Sequence, residues 1–244
     1  MASAGCASMY NPATGKNEFI FINSATEAAI GDACKDELFK KQPLLKDPER
    51  EARVKRIGAR LAAASDRKDI EYKFYVLDDK ELNAVTLPGG LIYINMGLMD
   101  ILNDDEVAYV LGHETGHVAA RHIAKKLQAN MAYQALLAVA FTALGDKAEA
   151  GKTGANVITG ADTVFSLVGL KYSRNDEYEA DRLGVKYSYS AGFDPNASLT
   201  ALEKIKKEEG PNWKVLEYFR THPYVDERIK ALKELIPKVK NRQI

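Results

Sequence analysis

"VLGHETGHVAARH", residues 110–122, is the stretch from which the rest of the chain can be interpreted. It places His113 and His117 four positions apart, with Glu114 directly after the first histidine. Side chains four positions apart on an α-helix project from the same face, so the two histidines can hold one metal ion. Glu114 would lie about 100° further round the helix, beside such an ion, where a carboxylate can serve as a general base.

Two interpretations of this motif remain open at this point: a catalytic zinc site, or two histidines solvated on a helix surface. Gly112 and Gly116 are poor helix formers, and both lie inside the motif. Glycines there would allow another backbone or a metal partner to approach closely. A catalytic zinc site also needs a third protein ligand, so the motif alone is incomplete.

The candidate for that ligand lies in "SRNDEYEADRLG", residues 173–184. Glu177 and Asp181 are four positions apart and share a helix face, whereas Glu179 points elsewhere. Glu177 can complete a His-His-Glu set. Asp181 can accept a hydrogen bond from the second ring nitrogen of a ligand histidine, which we expect to be His117. The alternative is an acidic, solvated helix face.

The remaining two histidines have different settings. His122 comes five positions after His117, off the ligand face, and is predicted to be a surface residue. His222 lies in a Thr-His-Pro turn. It either caps a helix, or lies near the zinc and steadies an oxyanion or fills the open coordination position.

Helical patterns outnumber strand patterns along the chain. Residues 1–23 are predicted to be a tail or extended arm, and residues 24–244 a single domain. Residues 72–78 indicate a strand, and residues 83–97 indicate a strand, a Pro-Gly-Gly turn and a second strand. A helix is predicted to begin at Asn103, with Glu106 as the partner in a capping box. Residues 164–192 indicate one long helix.

Composition excludes some classes of partner. Lysine plus arginine and aspartate plus glutamate number 34 each, which gives no support for nucleic acid as a partner. The longest apolar stretch, residues 131–145, is shorter than the roughly 20 residues of a membrane span. We therefore expect no transmembrane segment. That stretch is predicted to be a buried helix, or one that flanks the active site or touches a membrane surface.

Two cysteines, Cys6 and Cys34, bear on the location of the protein. "MASAGC" is similar to the end of a bacterial lipoprotein signal whose apolar part is missing, which predicts a lipid anchor at Cys6. Two alternatives remain open: the Ala-Gly-Cys sequence occurs by chance in a flexible tail, or Cys6 forms a disulfide with Cys34. The first interpretation predicts a periplasmic, membrane-anchored lipoprotein whose signal peptide has been removed.

Together these segments resemble the HtpX and CAAX-prenyl-protease-like family of zinc metallopeptidases, a gluzincin family. The resemblance covers most of the chain and rests on "NAVTLPGGLIYINMGL", "LGHETGHVAARH", "SRNDEYEAD" and "THP" followed by "ER". Thr115 departs from the family pattern, in which isoleucine or leucine is commoner. Within the family the chain is most similar to the soluble periplasmic branch of bacteria, with its BepA-like and Oma-like members. The membrane spans of HtpX and the helical repeats of some periplasmic members are not seen.

The resemblance implies an α+β fold: a mostly helical, thermolysin-like core with a small β-sheet over the zinc helix. One zinc ion would be held by His113, His117 and Glu177, with Glu114 as base and then acid. His222, Arg174 and Tyr178 are candidate charge stabilisers. An edge strand would hold polypeptide substrates in extended form, near the turn at residues 88–90. The expected activity is that of a zinc endopeptidase acting on unfolded or misassembled proteins. The alternative is a latent or weakly active, zinc-stabilised chaperone-like protein of the bacterial envelope.

Overall fold

The computed structural model describes residues 8–143, 171–208 and 216–243 of the 244-residue chain. Within these ranges the fold is α+β and mostly helical, as predicted. The strands are β1 (Ser8–Asn11), β2 (Lys16–Phe19), β3 (Lys73–Leu77), β4 (Ala84–Leu87) and β5 (Leu91–Asn95). The helices are α1 (Ser24–Lys41), α2 (Pro48–Ala64), α3 (Met96–Ile101), α4 (Asp104–Ala119), α5 (His122–Ala143), α6 (Arg174–Ser190), α7 (Ala197–Lys207), α8 (Leu216–Thr221) and α9 (Val225–Lys240).

A three-stranded sheet lies against α4, in the strand order β3-β5-β4. Strand β5 runs parallel to β3 and antiparallel to β4. All five residues of β5 are buried, which explains why "LIYIN" is apolar on both faces. Strand β4 therefore forms one edge of the sheet, directly beside α4, and the predicted strand-turn-strand unit is confirmed.

Helix α4 runs through the core and is buried from Glu106 to its last residue, Ala119. It begins where the sequence predicts: the Asn103 side chain accepts from the backbone N–H of Glu106, and the Glu106 carboxylate accepts from the backbone N–H of Asn103. Helices α2, α6 and α7 and the sheet pack around it. The helix that carries the decisive motif is therefore a core element and not a surface helix.

A sharp break separates α4 from α5. Ala120 ends α4, and Arg121 has a φ of 58°, a left-handed conformation that a helix cannot continue through. The Arg121 side chain is buried and bonds to Glu27 of α1 and to the carbonyl of Ile22, which holds the break in place. His122 therefore belongs to a new helix with a new direction.

The second acidic segment also differs from its prediction. Helix α6 begins at Arg174, because the Ser173 side chain caps it and Asp176 completes a capping box. Residues 171–173 are not helical, so the prediction of one continuous helix over residues 164–192 is wrong at these three positions. Residues 144–170, which include the glycine-rich segment, lie outside the described residues.

The N-terminal arm is more structured than expected over residues 8–19. Strands β1 and β2 pair antiparallel as a hairpin, and Gly15, with a φ of 68°, supplies the left-handed position of its turn. The turn bonds closely to the core, since the Asn11 side-chain amide donates to the carbonyl of Ala119. Cys6 lies outside the described residues, and Cys34 is a buried free thiol.

The apolar stretch that begins at Met131 lies within α5, as far as Ala143. Three large apolar side chains of this helix, Tyr133, Leu136 and Val139, are more than half exposed. The prediction of a fully buried helix is therefore wrong for this face. None of the helices within the described ranges combines the length and the apolar run needed to cross a bilayer.

Candidate metal centre

Four buried side chains converge on one point of the core. His113 and His117 come from α4, Glu177 from the start of α6, and His222 from the turn between α8 and α9. His113 Nε2 lies 3.0 Å from His117 Nε2 and 3.3 Å from His222 Nδ1. Glu177 Oε1 lies 3.4 Å from His117 Nε2 and 3.2 Å from His222 Nδ1. All four ligand atoms lie within 4.8 Å of one another, so one ion could contact the whole set.

Glycines allow α4 and α6 to come close enough for this. A Cβ added at Gly116 would lie 2.9 Å from the carbonyl oxygen of Ala180, and one added at Gly184 would lie 2.8 Å from the backbone nitrogen of His113. Side chains at these positions would push the helices apart. The expectation that the motif glycines admit another backbone is confirmed, with α6 as that backbone.

Glu114 lies beside the cluster and is fixed by the sheet. The hydroxyl of Thr86, on the edge strand β4, donates to Glu114 Oε2 over 2.7 Å. The other oxygen, Oε1, lies 3.4 Å from His222 Nε2 and has no hydrogen-bond partner among the described residues. A buried carboxylate oxygen without a partner costs free energy, which is typical of a functional group that awaits a proton or a ligand.

Asp181 orients a histidine of the cluster, but not the expected one. Its Oδ1 lies 2.8 Å from Nδ1 of His113, whereas His117 was predicted as the partner. The reason is the antiparallel packing of the helices: Ala180 lies against Gly116 and Gly184 against Gly112. A residue one turn later in α6 therefore lies beside a residue one turn earlier in α4. Asp181 consequently contacts His113 and not His117.

Arg228 is a central residue of the site that the sequence argument left without a role. It is fully buried, and its guanidinium donates to both carboxylate oxygens of Asp181 over 2.8 and 2.7 Å. Its third nitrogen, Nη1, lies 2.7 Å from Glu177 Oε2. A sequence signal existed, because Arg228 interrupts the apolar stripe of α9 formed by Val225, Leu232 and Ile236. A charged residue in a buried stripe requires a buried partner.

The charges around the cluster set its protonation. Burial raises the pKa of Glu177, but the charge of Arg228 and the nearby histidines outweigh it, and its pKa lies well below the usual range. Burial holds the pKa of His117 well below its usual value. The pKa of Asp181 falls to about 2, since Arg228 and His113 outweigh its burial. Glu177 and Asp181 are therefore ionised and His117 is neutral, the states that metal ligation requires.

His222 has the opposite tendency. Burial lowers its pKa, but the negative charges of Glu177 and Glu114 outweigh burial, and the net shift is upward. It contacts both carboxylates and is 2% exposed. The structure thus places His222 in the cluster and not at a distant helix cap.

Two further predicted residues make no described contact with this cluster. Arg174 pairs with Glu227 over 3.8 Å and lies over the ring of Tyr224, with more than half of its side chain exposed. Among the contacts described, none joins Arg174 or Tyr178 to the four-residue cluster. An aromatic residue that was not predicted lies there instead: the ring of Tyr172 stacks on His117, with 3.8 Å between ring centres.

His122 was predicted to be a surface residue, and this is wrong. It is 2% exposed, and its Nδ1 lies 2.7 Å from Nδ1 of His117. A continuous helix would carry His122 away from the face of His117, but the break at Arg121 turns His122 back toward His117. No feature of the local sequence marks this break, because arginine rarely adopts the left-handed conformation.

The donor atoms fit a zinc ion. Imidazole nitrogen and carboxylate oxygen are its usual ligands, and three protein ligands beside a general base form the arrangement of catalytic zinc sites. The outer nitrogen of His113 bonds to a carboxylate, as metal-bound histidines commonly do. The turn at residues 88–90 lies nearby, since Pro88, Gly89 and His117 line one small cavity.

Comparison with known proteins adds independent information. Residues 48–236 match the description "Peptidase family M48". The mitochondrial metalloendopeptidase OMA1 of Schizosaccharomyces pombe is 33% identical over 185 residues, which cover 75% of this chain and 52% of that protein. The β-barrel assembly-enhancing protease of Escherichia coli is 26% identical over 222 residues, covering 89% and 45%. Metalloprotease LoiP of Escherichia coli is 31% identical over 171 residues, covering 68% and 62%. The chain spans about half the length of the first two relatives.

Proposed function

Because the chain belongs to peptidase family M48, we propose that it is a zinc-dependent endopeptidase that hydrolyses peptide bonds in unfolded or misassembled envelope proteins. One observation carries the proposal: His113, His117 and Glu177 converge from two helices, with the carboxylate of Glu114 beside them. The relatives support it, since three of them are named as proteases and one is named for β-barrel assembly. The chain covers only part of each relative, so the activity of the whole protein is also part of this proposal.

Zinc would supply Lewis acidity toward a water molecule and toward the scissile carbonyl. His113, His117 and Glu177 would hold it. Glu114 would accept a proton from the attacking water through Oε1, the oxygen that Thr86 leaves unbonded, and deliver it to the leaving amine. Arg228 and Asp181 keep His113 in the orientation that presents Nε2 to the cluster.

The substrate would bind as an extended strand along β4. This strand pairs with β5 on one side, and no described strand pairs with its other side. Thr86 of β4 touches Glu114, so a peptide added at this edge would run past the proposed base. Main-chain hydrogen bonds of this kind are largely independent of sequence, which suits a protease for unfolded chains.

Two further parts of the proposal concern charge and location. His222 would steady the developing oxyanion. Arg174 and Tyr178 would contribute only after a rearrangement, since no described contact joins either of them to the cluster. We place the protein in the periplasm, anchored through a lipid on Cys6. The relative named for β-barrel assembly supports this place, because β-barrel proteins belong to the outer membrane.

The proposal is tested with Glu114→Gln. Glutamine keeps the size of the side chain but cannot act as a base, so the variant should bind one zinc ion and melt like the wild type, yet fail to cleave casein. Glu203→Gln, on the exposed face of α7, makes the same change of charge away from the site and serves as the matched control. Casein cleavage by Glu114→Gln at the wild-type rate would refute this mechanism.

A second candidate function is a latent, zinc-stabilised chaperone-like binding protein of the envelope. One observation favours it: all four side chains of the cluster are at most 2% exposed, and His222 lies between Glu114 and Glu177. As a fourth ligand, His222 would occupy the coordination position that a water molecule needs. The two functions differ in the effect that removal of His222 should have on cleavage.

A further inference from the structure

The two histidines of α4 are supported in different ways. His113 presents Nε2 to the cluster, and its Nδ1 meets the carboxylate of Asp181 directly. His117 also presents Nε2 to the cluster, but its Nδ1 meets another imidazole, that of His122, over 2.7 Å. The mechanism proposed above gives His122 no part, although the residue is buried.

His122 is itself bonded on its far side. Its Nε2 lies 3.2 Å from Glu179 Oε2 and 3.6 Å from Asp176 Oδ1. His122 is 2% exposed and the side chain of Glu179 only 19%, so water does not replace this contact easily. His117, His122 and Glu179 therefore form a continuous row of donors and acceptors that ends on a carboxylate.

Only one arrangement of protons satisfies this row with His117 as a metal ligand. A ligand nitrogen must offer its lone pair, so the proton of neutral His117 must sit on Nδ1. That proton is donated to Nδ1 of His122, which must then be bare. The proton of His122 consequently sits on Nε2 and is donated to Glu179. Two protonated or two bare Nδ1 atoms 2.7 Å apart would be unfavourable.

We propose that His122 and Glu179 are positioning residues that hold His117 in its metal-binding tautomer, through a relay of two hydrogen bonds. The inference rests on the zinc site of the proposed function. His117 would thus be linked to the carboxylate of Glu179 through His122, whereas His113 contacts the carboxylate of Asp181 directly. Neither residue touches substrate or the reacting atoms.

The surroundings of Glu179 support this role. Its side chain is mostly buried, and its Oε2 lies within hydrogen-bond distance of His122 Nε2. The carboxylate is therefore in position to accept from His122, as the relay requires. Lys16 lies 3.7 Å from the other oxygen of Glu179, so β2 of the hairpin touches this end of the row.

The break between α4 and α5 is what makes the relay possible. The left-handed backbone at Arg121 redirects the chain after one turn, so that a residue five positions after His117 faces it again. A continuous α-helix would place residue 122 about 140° away from residue 117. The buried bonds of Arg121 to Glu27 and Ile22 thus also serve the geometry of the metal ligand.

The test compares two isosteric variants of His122. In His122→Asn, the amide oxygen occupies the place of Nδ1 and can accept the proton of His117. In His122→Leu, a side chain of similar size offers no acceptor. Zinc affinity of the full chain is measured by competition with a chromophoric chelator at one pH. We expect His122→Leu to lose roughly 10- to 100-fold and His122→Asn to retain most of the affinity.

Two further variants sharpen the comparison. Glu179→Gln should lose less than His122→Leu, because the amide still accepts. Asp181→Asn is a positive control. It removes the negative charge beside His113, so it should show that the assay detects a weaker hydrogen-bond partner of a cluster histidine. Long-range proton–nitrogen spectra of the zinc-loaded protein report the tautomer directly. They should show Nδ1-protonated His117 in the wild type and in His122→Asn.

Each result decides between the relay and a packing role. Equal losses of zinc affinity in His122→Leu and His122→Asn, accompanied by equal drops in melting temperature, would overturn the relay and leave His122 as a core residue. Unchanged affinity in His122→Leu would also overturn it. A wild type that binds no zinc would overturn both this inference and the proposed function. A wild type that binds zinc and shows the expected order of variants, but cleaves no casein, would count against the endopeptidase alone.

Discussion

The hydroxyl of Thr86 donates a hydrogen bond to the carboxylate of Glu114, with 2.7 Å between Thr86 Oγ1 and Glu114 Oε2. Thr86 is 2% exposed and lies on the edge strand, whereas Glu114 lies on the central helix. This bond fixes which oxygen of Glu114 is left to act, and it links the proposed peptide-binding edge to the proposed base. A change at Thr86 should therefore affect catalysis without touching a metal ligand.

Thr86→Val keeps the shape of the side chain and removes the hydroxyl. We expect the kcat for a peptide substrate to fall about 10- to 100-fold, because a base displaced by a fraction of an ångström loses its alignment. Zinc content and melting temperature should stay near those of the wild type. Thr86→Ser retains the donor and is the matched control. A kcat of Thr86→Val equal to that of the wild type would show that the bond does not position the base.

His222→Ala distinguishes a latent site from an active one. If His222 fills the coordination position of a water molecule, its removal should raise casein cleavage. The gain would be about tenfold if the wild-type site is open about 10% of the time. Zinc content must be measured in parallel, because His222 also belongs to the cluster. Unchanged cleavage would contradict latency, and a loss of cleavage at full zinc occupancy would favour the oxyanion role.

Arg228→Met should destabilise the fold strongly. The change leaves Asp181 and Glu177 buried without their countercharge, and breaking a buried ion pair typically costs about 3–5 kcal/mol. Urea unfolding of the zinc-free protein measures this free energy. Arg56→Met is the matched control, since Arg56 pairs with Asp104 over 2.6 Å but is half exposed, and exposed pairs contribute about 1 kcal/mol or less. Equal effects of the two variants would contradict the buried network.

The stability of the fold should depend on pH through Glu106. Burial raises the pKa of this carboxyl, but Lys204 and the backbone N–H of Asn103 outweigh burial, so its pKa in the folded protein lies below the ordinary 4.5. The unfolded chain therefore takes up the proton first as the pH falls. The contribution of Glu106 to stability is complete above pH 4.5 and is lost as the pH falls through its folded value.

Comparison with Glu106→Gln isolates this contribution. The free energy of unfolding of the wild type should exceed that of the variant by about 1 kcal/mol near neutral pH, and the difference should shrink in acid. Urea unfolding of the zinc-free protein at a series of pH values measures it, with Glu203→Gln on the exposed face of α7 as the control. A difference that stays constant into acid would mean that the carboxylate charge contributes nothing.

The features that were predicted correctly from residue patterns depend on residues that are close together in the chain. The start of α4 depends on the side chains of Asn103 and Glu106, three positions apart, and the face shared by His113 and His117 depends on helix geometry alone. Helix spacing also made Glu177 the candidate for a third ligand. The resemblance added the family, which is confirmed. These features need no knowledge of distant contacts.

Features that depend on distant contacts were missed. The partner of Asp181 follows from the antiparallel packing of α4 and α6, and the burial of His122 follows from a backbone break held by α1. Tyr172 carried no signal at all, since it lay inside a helix predicted to be continuous. The interrupted stripe of α9 could have identified Arg228, but its partners, more than forty positions earlier, could not be read from it.

The countercharge of the site is synthesised later than the carboxylates that it stabilises. Glu177 and Asp181 precede Arg228 by more than forty residues, so they leave the ribosome first. During synthesis the acidic pair therefore exists for a time without the guanidinium that allows its burial, and burial of unpaired carboxylates is unfavourable. Helix α6 therefore cannot bury this pair stably against α4 until α9 has been made.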